Sequence, residues 1–226
     1  MDTSLPVTLD FTLDALGGFV PDVAILANGD FPTHPIPLEV LETVPRIVLC
    51  DGSAVHLPKL PPSKVECIIG DGDSLPAEVR NNTTIPIMQV ADQETNDLTK
   101  AVCYCMSRQW HQIAILGATG RREDHTIANF ALLGLYLKKG ARVLMVTDQG
   151  VCVPFSGRCL LRLPVGLQLS FFSLDQQPMS ATGVRYPFSE RVFGSWWEAT
   201  LNEVTSPQVH LHTSGTALVY LSREHK

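Results

Sequence analysis

The sequence predicts an α/β protein in two parts, with a doubly wound, mostly parallel sheet over residues 1–148 and an all-β sandwich over residues 149–226. Three observations predict this fold class. Apolar runs typical of buried parallel strands recur through the first part. Segments with apolar residues at helical spacing separate several of these runs. After residue 148 the pattern changes to short apolar runs divided by proline and glycine turns, which is typical of all-β domains.

The elements can be assigned in chain order. The strands of the first part are predicted at Val23–Leu26, Arg46–Cys50, Cys67–Ile69, Ile113–Leu116 and Arg142–Val146. Two helices are predicted by apolar residues three and four positions apart, at Leu98, Ala101, Val102, Cys105 and Met106, and at Ile127, Phe130, Ala131 and Gly134. In the second part, strands are predicted at Cys159–Leu163, Leu167–Phe172, Gln208–His212 and Ala217–Leu221.

The composition is that of a globular protein without a nucleic-acid-binding surface. With 226 residues, of which 45% are hydrophobic and 18% are charged, the chain can bury a substantial core. Its formal net charge of −6 argues against binding along a phosphate backbone, which needs a basic face. A nucleotide bound through a metal ion remains compatible with this charge.

The cysteine pattern predicts a cytoplasmic protein. None of the six cysteines forms a Cys-x-x-Cys pair, and most lie in apolar runs, where free thiols behave as small core residues. We find neither a basic and apolar leader at the N-terminus nor an apolar run long enough for a membrane helix. We therefore expect no membrane association.

Polar clusters follow the predicted strands, where ligands of open α/β sheets bind. Asn28-Gly29-Asp30 follows the first strand, and Asp51-Gly52-Ser53 follows the second. Gly70-Asp71-Gly72-Asp73-Ser74 follows the third and places two carboxylates two residues apart. Magnesium is bound by one or two carboxylates together with phosphate oxygens, so this motif indicates a metal-bound phosphate site. Each cluster, taken alone, is equally compatible with a solvated turn.

A fourth cluster, Asp92–Lys100, opens the first predicted helix. Asn96 or Thr95 can cap this helix, whose N-terminus offers free N–H groups and a positive dipole end to phosphate. Asp97 can bind a cation, and Lys100, one turn later, can reach phosphate as a point charge. A capping motif with a surface ion pair is the alternative.

The segment Gly117–His125 has the same strand, turn and helix placement. Its glycines allow close approach of the backbone to a ligand, and Arg122 can bind phosphate in a fork, with Asp124 and His125 in the first turn of the next helix. The segment lacks both the Gly-Lys-Ser/Thr ending of a Walker loop and the Gly-x-Gly-x-x-Gly dinucleotide pattern.

Taken together, these motifs resemble the thiamin pyrophosphokinase (thiamine diphosphokinase) family. The resemblance lies in Gly-Asp-x-Asp-Ser, Asp-Gln-x-x-x-Asp-x-Thr-Lys and Gly-x-x-Gly-x-Arg-x-Asp-His, in this order. It continues into Thr182–Pro187 and Ala199–Glu203 of the β domain and covers nearly the whole chain.

The resemblance implies transfer of a pyrophosphoryl group from ATP to the hydroxyl of thiamin, giving thiamin diphosphate and AMP. It also implies a homodimer with active sites at the subunit interface. Carried over by position, Mg²⁺ would be held by Asp71, Asp73 and Asp97, which form the catalytic set together with Lys100. The ATP site would comprise Asp51, Gln93, Thr99, Lys100, Arg122, Asp124 and His125, and the thiamin site Asp51, Thr200, Asn202 and Tyr186. No residue stands out as a dedicated general base; one of the three metal-binding acids could take that role.

The sequence also departs from the family pattern. Gly72 stands where an aromatic residue is usual, Ser53 and Arg121 replace glycines, and Ala199 and Leu201 replace serines. A C-terminal tryptophan that stacks on thiamin in some members has no match, so Trp196, Trp197 or Tyr186 is the candidate stacking residue. Two alternatives therefore stay open: a nucleotide- or thiamin-binding protein without turnover, and a related pyrophosphotransferase with another acceptor.

Overall fold

A computed structural model describes residues 7–92 and 94–223 of the chain. This part forms two compact units, one of residues Pro21–Asp148 and the other of residues 7–20 together with 149–223. The strands, numbered in chain order, are β1 (Val7–Asp10), β2 (Val23–Leu26), β3 (Ile47–Cys50), β4 (Val65–Gly70), β5 (Ile87–Gln89), β6 (Gln112–Leu116), β7 (Arg142–Val146), β8 (Gly150–Arg162), β9 (Gln168–Ser173), β10 (Met179–Thr182), β11 (Phe188–Arg191), β12 (Asn202–Glu203) and β13 (Gln208–Ser222). The helices are α1 (Pro35–Thr43), α2 (Ala77–Asn82), α3 (Asp97–Ser107) and α4 (Glu123–Lys138). Short 3-10 helices are formed by Asp51–Lys59, Pro62–Lys64 and Trp196–Ala199.

The first unit contains a parallel sheet with the strand order β7-β6-β2-β3-β4-β5. Every residue of β2 and β3 is buried, as expected for apolar strands covered on both faces. The chain moves outward from β2 to β5 and then returns to the other side of β2 with β6. Because all strands point the same way, the loops after β2, β3, β4 and β6 lie at one edge of the sheet, beside the point where the order reverses.

Two helices of this unit begin at that edge. Asn96 caps α3, its Oδ1 accepting a hydrogen bond from the backbone N–H of Thr99 at 2.9 Å, so the predicted cap is confirmed. The buried face of α3 includes Leu98, Ala101, Val102 and Cys105, as the helical spacing predicts. Helix α4 begins with two acidic residues, which favour a helix N-terminus. Among the described residues, no helix combines the length and apolarity needed to cross a membrane.

The second unit is built around the antiparallel pair β8 and β13. The first half of β13 also pairs with β10 and its second half with β9, and the register shifts between Thr213 and Thr216. The last two predicted strands are therefore two halves of one irregular strand, because a bulge bends a strand without ending it.

Strand β1 pairs in parallel with residues Cys159–Arg162 of β8. The structure thus places residues 7–20 with the C-terminal strands, whereas the sequence analysis placed them with the α/β part. The mixed α/β class is confirmed. The five strands predicted in the first part are all present, and β5 is an additional one that its half-exposed, partly polar sequence does not reveal.

Candidate active site

Three carboxylates converge at the sheet edge of the first unit. Asp51 directly follows β3, Asp71 directly follows β4, and Asp97 is the first residue of α3. One oxygen atom from each lies within 4.8 Å of those of the other two. Hard oxygen ligands at this spacing suit a divalent cation such as Mg²⁺.

Asp51 is the most enclosed of the three, with 2% of its surface exposed. Its Oδ1 accepts a hydrogen bond from the N–H of Gly52 at 2.6 Å, and its Oδ2 accepts one from the N–H of Gly72 at 3.1 Å. Burial, followed by the negative charge of Asp97, raises the pKa of Asp51 to about 6. Like charges held this close are unfavourable without a cation, so the donor set fits a bound metal ion.

Lys100 lies beside this carboxylate cluster and is buried, with 3% of its side chain exposed. Its Nζ donates a hydrogen bond to Oδ1 of Asp97 at 3.1 Å, one helical turn away. The neighbouring Thr99 faces inward, and its hydroxyl lies 2.8 Å from the hydroxyl of the buried Tyr136. Burial raises the pKa of Tyr136, which therefore remains a neutral partner.

A cavity of about 300 Å³ opens next to Asp97. Its lining includes Asn28, Ser74, Asp97, Arg121, Arg122 and His125. The loops after β2 and β6 form its rim, and they are joined by backbone hydrogen bonds from Gly29 N to Gly117 O at 2.6 Å and from Asp30 N to Thr119 O at 2.8 Å. A side chain at Gly29 would place its Cβ 2.2 Å from Thr119 O, so this close approach requires glycine.

Arg122 and Asp124 form a two-point ion pair at the start of α4. The guanidinium donates to the carboxylate at 3.1 and 2.5 Å. Because Arg122 donates these bonds, the pKa of Asp124 falls to about 2. The backbone N–H of His125 also donates to Asp124 at 2.8 Å. Asp124 therefore orients the arginine and the first turn of the helix.

Two asparagine side chains, those of Asn96 and Asn129, connect the elements that line the cavity. Asn129 is buried, and its Nδ2 donates to the carbonyl of Ala118 at 2.8 Å. Its Oδ1 lies 3.4 Å from Nδ2 of Asn96, the cap of α3. These contacts connect the starts of α3 and α4 to the loop after β6.

Polar groups in the second unit are engaged with the backbone. Asn202 is buried; its Oδ1 accepts hydrogen bonds from the N–H groups of Tyr186 at 3.1 Å and Glu203 at 2.9 Å, and its Nδ2 donates to Tyr186 O at 2.9 Å. The hydroxyl of Thr200 donates to Trp197 O at 2.7 Å. These two side chains therefore fix the loops that carry Tyr186 and Trp197.

The aromatic residues of these loops are largely exposed. Tyr186 is 66% exposed and Trp197 is 75% exposed, whereas Trp196 packs against Phe172 with ring centroids 5.8 Å apart. Leu201, also exposed, has a backbone φ of +57°, a conformation that side chains seldom adopt. Two broad aromatic faces are thus available to a ligand or to another surface.

Comparisons with known proteins agree with these features. The family profile described as "Thiamin pyrophosphokinase, catalytic domain" matches residues 38–145, and that described as "Thiamin pyrophosphokinase, substrate-binding domain" matches residues 150–220. The chain belongs to the thiamin pyrophosphokinase family. Its members carry out ATP-dependent pyrophosphorylation of thiamin, and this chain has that enzymatic activity.

Solved thiamin pyrophosphokinases share the fold. The enzyme from Candida albicans is 14% identical, with 99% of this chain and 95% of that chain covered and a TM-score of 0.76. Yeast thiamin pyrophosphokinase is 14% identical, with 98% and 92% covered and a TM-score of 0.75. That from Bacillus subtilis is 20% identical, with 88% and 98% covered and a TM-score of 0.73. No match was found among curated proteins.

The structure brings together some of the residues predicted for the active site and not others. It brings Asp71, Asp97 and Lys100 together, but the third carboxylate beside them is that of Asp51. Asp73 is exposed, and its backbone N–H donates to Asp71 at 3.0 Å. The metal role predicted for Asp73 stays a prediction. Gln93 lies outside the described residues.

Sequence reasoning did not identify several residues of this site. Arg121 and Asn129 line the cavity, and Asp51 was assigned to substrate rather than to the metal. The polar loop Asn28-Gly29-Asp30 was noted, but nothing in a single sequence pairs it with the loop after β6. The signal for Asp51 was its position directly after a strand that neighbours β4.

Proposed function

We propose that Asp51, Asp71 and Asp97 hold the Mg²⁺ required for the family reaction, in which thiamin and ATP give thiamin diphosphate and AMP. The observation that carries this proposal is the convergence of their three carboxylate oxygens within 4.8 Å. When bound, the divalent cation would neutralise oxygens of the triphosphate. Asp73 is exposed on the loop after β4, two residues from Asp71. We propose it as a further acidic contact to the metal ion on the basis of its motif alone.

The protein groups around this cluster supply what phosphoryl transfer needs, which is positioning and neutralisation of charge. The free N–H groups at the start of α3 can bind phosphate oxygens. Lys100 is held one turn further along that helix, where its ammonium group adds positive charge. Arg122, oriented by Asp124, presents a guanidinium group to the cavity. Thr99 supports the site structurally, since its backbone N–H is bonded to the cap residue Asn96 and its hydroxyl is bonded to Tyr136.

A product assay with matched variants tests the proposal. Purified protein is incubated with ATP, Mg²⁺ and thiamin, and AMP and thiamin diphosphate are quantified by chromatography. We expect equal amounts of both from the unaltered protein. Asp71→Asn should lower turnover by orders of magnitude, and Asp73→Asn, the matched change two residues away, should lower it less. Product at the unaltered rate from Asp71→Asn would overturn the metal assignment. Omission of thiamin, or its replacement by other pyrimidine alcohols, tests for another acceptor.

We further propose that the doubly wound α/β unit, Pro21–Asp148, binds the nucleotide and that the β-sandwich that follows it binds thiamin. The two family profiles support this division, because they match on either side of residue 148. Tyr186, Thr200 and Asn202 would form or support the thiamin site. The exposed rings of Tyr186 and Trp197 support it, since an aromatic face suits the cationic thiazolium. Tyr186→Ala should raise the KM for thiamin more than the KM for ATP; equal effects would contradict this assignment.

A homodimer with active sites at the subunit interface is the assembly we propose. The apolar side chains of Trp197 and Leu201, 75% and 77% exposed, support a surface that is covered in the assembly. Sedimentation of the purified protein tests the dimer, and a monomer at assay concentrations would contradict it. Mixing Asp71→Asn with Tyr186→Ala, at a thiamin concentration low enough that each variant alone forms little product, tests whether one site draws on both subunits. Partial recovery of activity is expected.

The cysteines support a cytoplasmic location, which we also propose. All six are free thiols in the structure, and five of them are buried. Such thiols persist in reducing compartments. Cell fractionation that recovered the protein in an oxidising compartment would contradict this placement.

A further inference from the structure

Arg121 has an unusual backbone conformation at the rim of the cavity. Its φ of +53° lies in the left-handed region, which glycine adopts at little cost and a branched or long side chain rarely does. The side chain reaches across to the loop after β2, where Nη1 donates to Oδ1 of Asn28 at 2.6 Å and lies 3.4 Å from its backbone oxygen. An arginine kept in this conformation presents its guanidinium to the cavity.

The charges around the cavity distinguish Arg121 from its neighbours. Arg122 is paired with the carboxylate of Asp124, and Lys100 is paired with that of Asp97. Arg121 contacts only the neutral oxygens of Asn28, and within residues 7–92 and 94–223 it forms no salt bridge. Its guanidinium is therefore hydrogen-bonded but not ion-paired in the described part of the chain.

A second cation, Lys59, lies in the neighbourhood of Arg121. Lys59 lies over the ring of Phe31 at 4.6 Å, and that ring packs against His56 with centroids 4.8 Å apart. Burial, then the positive charges of Lys59 and Arg121, lower the pKa of His56. The lining of the cavity thus includes the guanidinium of Arg121, and the ammonium group of Lys59 lies nearby, outside that lining. An anion with several charged oxygens suits such a surface.

We propose that Arg121 is a specificity-determining residue of the nucleotide site: its guanidinium leaves Asn28 when nucleotide binds and contacts the oxygens of the polyphosphate. The proposal rests on the proposed function, because it takes the nucleotide to occupy this cavity. Asn28 is a neutral acceptor, so exchanging it for charged phosphate oxygens strengthens the hydrogen bonds that the guanidinium donates. Arg121 would then favour ATP over nucleotides with fewer phosphates.

Two neutral variants that tolerate the backbone conformation test this role. Arg121→Gly and Arg121→Asn both accept positive φ and remove the charge. We expect each to raise the KM for ATP, and the Kd for ATP measured by calorimetry with Mg²⁺, by about tenfold, the range of one charged hydrogen bond. The kcat should change less than about twofold, because this contact forms already in the ground state. Affinity for AMP should change much less than affinity for ATP.

The control is Arg142→Gln, which makes the same change in net charge at the exposed start of β7 and should leave both constants unchanged. Thermal unfolding separates binding from a structural role: Arg121→Gly should be at least as stable as the unaltered protein, whereas a structural role would lower its Tm. An ATP Kd within twofold of the unaltered value in both neutral variants would overturn the proposal. So would an equal loss of AMP and ATP affinity. If the protein binds ATP without forming products, the proposed function fails, and the calorimetric comparison still decides the role of Arg121.

Discussion

Replacing Lys100 by methionine should destabilise the metal-free protein and reveal how the carboxylate cluster is balanced. The lysine side chain is 3% exposed and its Nζ lies 3.1 Å from Asp97, whose side chain is 28% exposed. Removing one partner of a buried pair costs about 3–5 kcal/mol, because the other charge is left without compensation. Because Asp97 keeps some access to water, we expect the free energy of unfolding to fall by about 2–3 kcal/mol, less than for a fully buried pair.

The loss has a second component with the same sign. Without the ammonium group, Asp97 faces two other carboxylates, and the repulsion within the cluster rises. For a chain of this size, a loss of about 2–3 kcal/mol corresponds to a fall in Tm of roughly 5–10 °C. A bound divalent cation supplies the missing positive charge. Added Mg²⁺ should therefore recover more stability in Lys100→Met than in the unaltered protein.

Thermal and urea unfolding, each with a chelator and with Mg²⁺, measure both effects. Lys139→Met, at an exposed lysine, is the background control and should change the free energy of unfolding by less than about 0.5 kcal/mol. Turnover of Lys100→Met should fall by orders of magnitude even when Mg²⁺ restores its fold. A stability loss under about 0.5 kcal/mol, or one that Mg²⁺ leaves unchanged, would refute this account of the cluster.

Three further outcomes follow from the described contacts. Tyr136→Phe should lower the free energy of unfolding by about 1–3 kcal/mol, since it leaves the buried hydroxyl of Thr99 without its partner at 2.8 Å; Thr99→Val in the same chain should recover part of this, and additive losses in urea unfolding would contradict the pairing. Asn202→Ala should cost about 2–3 kcal/mol, because three backbone groups lose their partner, and should weaken thiamin binding in calorimetry; unchanged stability would count against these bonds. A chelator should lower the Tm of the unaltered protein and leave that of Asp71→Asn unchanged, and an equal response of both would exclude the cluster as the metal site.

The sequence could predict the strand ends that carry the site, because buried parallel strands are continuous apolar runs and their polar successors meet at one edge. It could also predict the cap at Asn96. The choice between Asp51 and Asp73 was beyond it, because Asp51 follows β3 and Asp73 follows β4, and only the pairing of these two strands shows which carboxylate lies beside Asp71. Thr99 was assigned to the ATP site through its motif, and the bond of its hydroxyl to Tyr136 could not be predicted, because Tyr136 lies on another helix, 37 residues away along the chain.

The second unit shows another limit of sequence reasoning. The pairing of β1 with β8 joins segments about 150 residues apart, and no local pattern reports such a contact. Because the register shifts between Thr213 and Thr216, the sequence pattern likewise predicted two strands where the structure has one, β13. Local signals identify elements, whereas their partners depend on packing that only the folded chain contains.

The short strand β5 bears on whether another chain could extend this sheet. It ends the parallel sheet on one side with only three residues, and Pro86, which lacks a backbone N–H, directly precedes it. A sheet margin of this kind offers another chain few donors and acceptors with which to extend the ladder. The margin therefore protects against strand-to-strand aggregation, and lengthening β5 or replacing Pro86 would expose the protein to it.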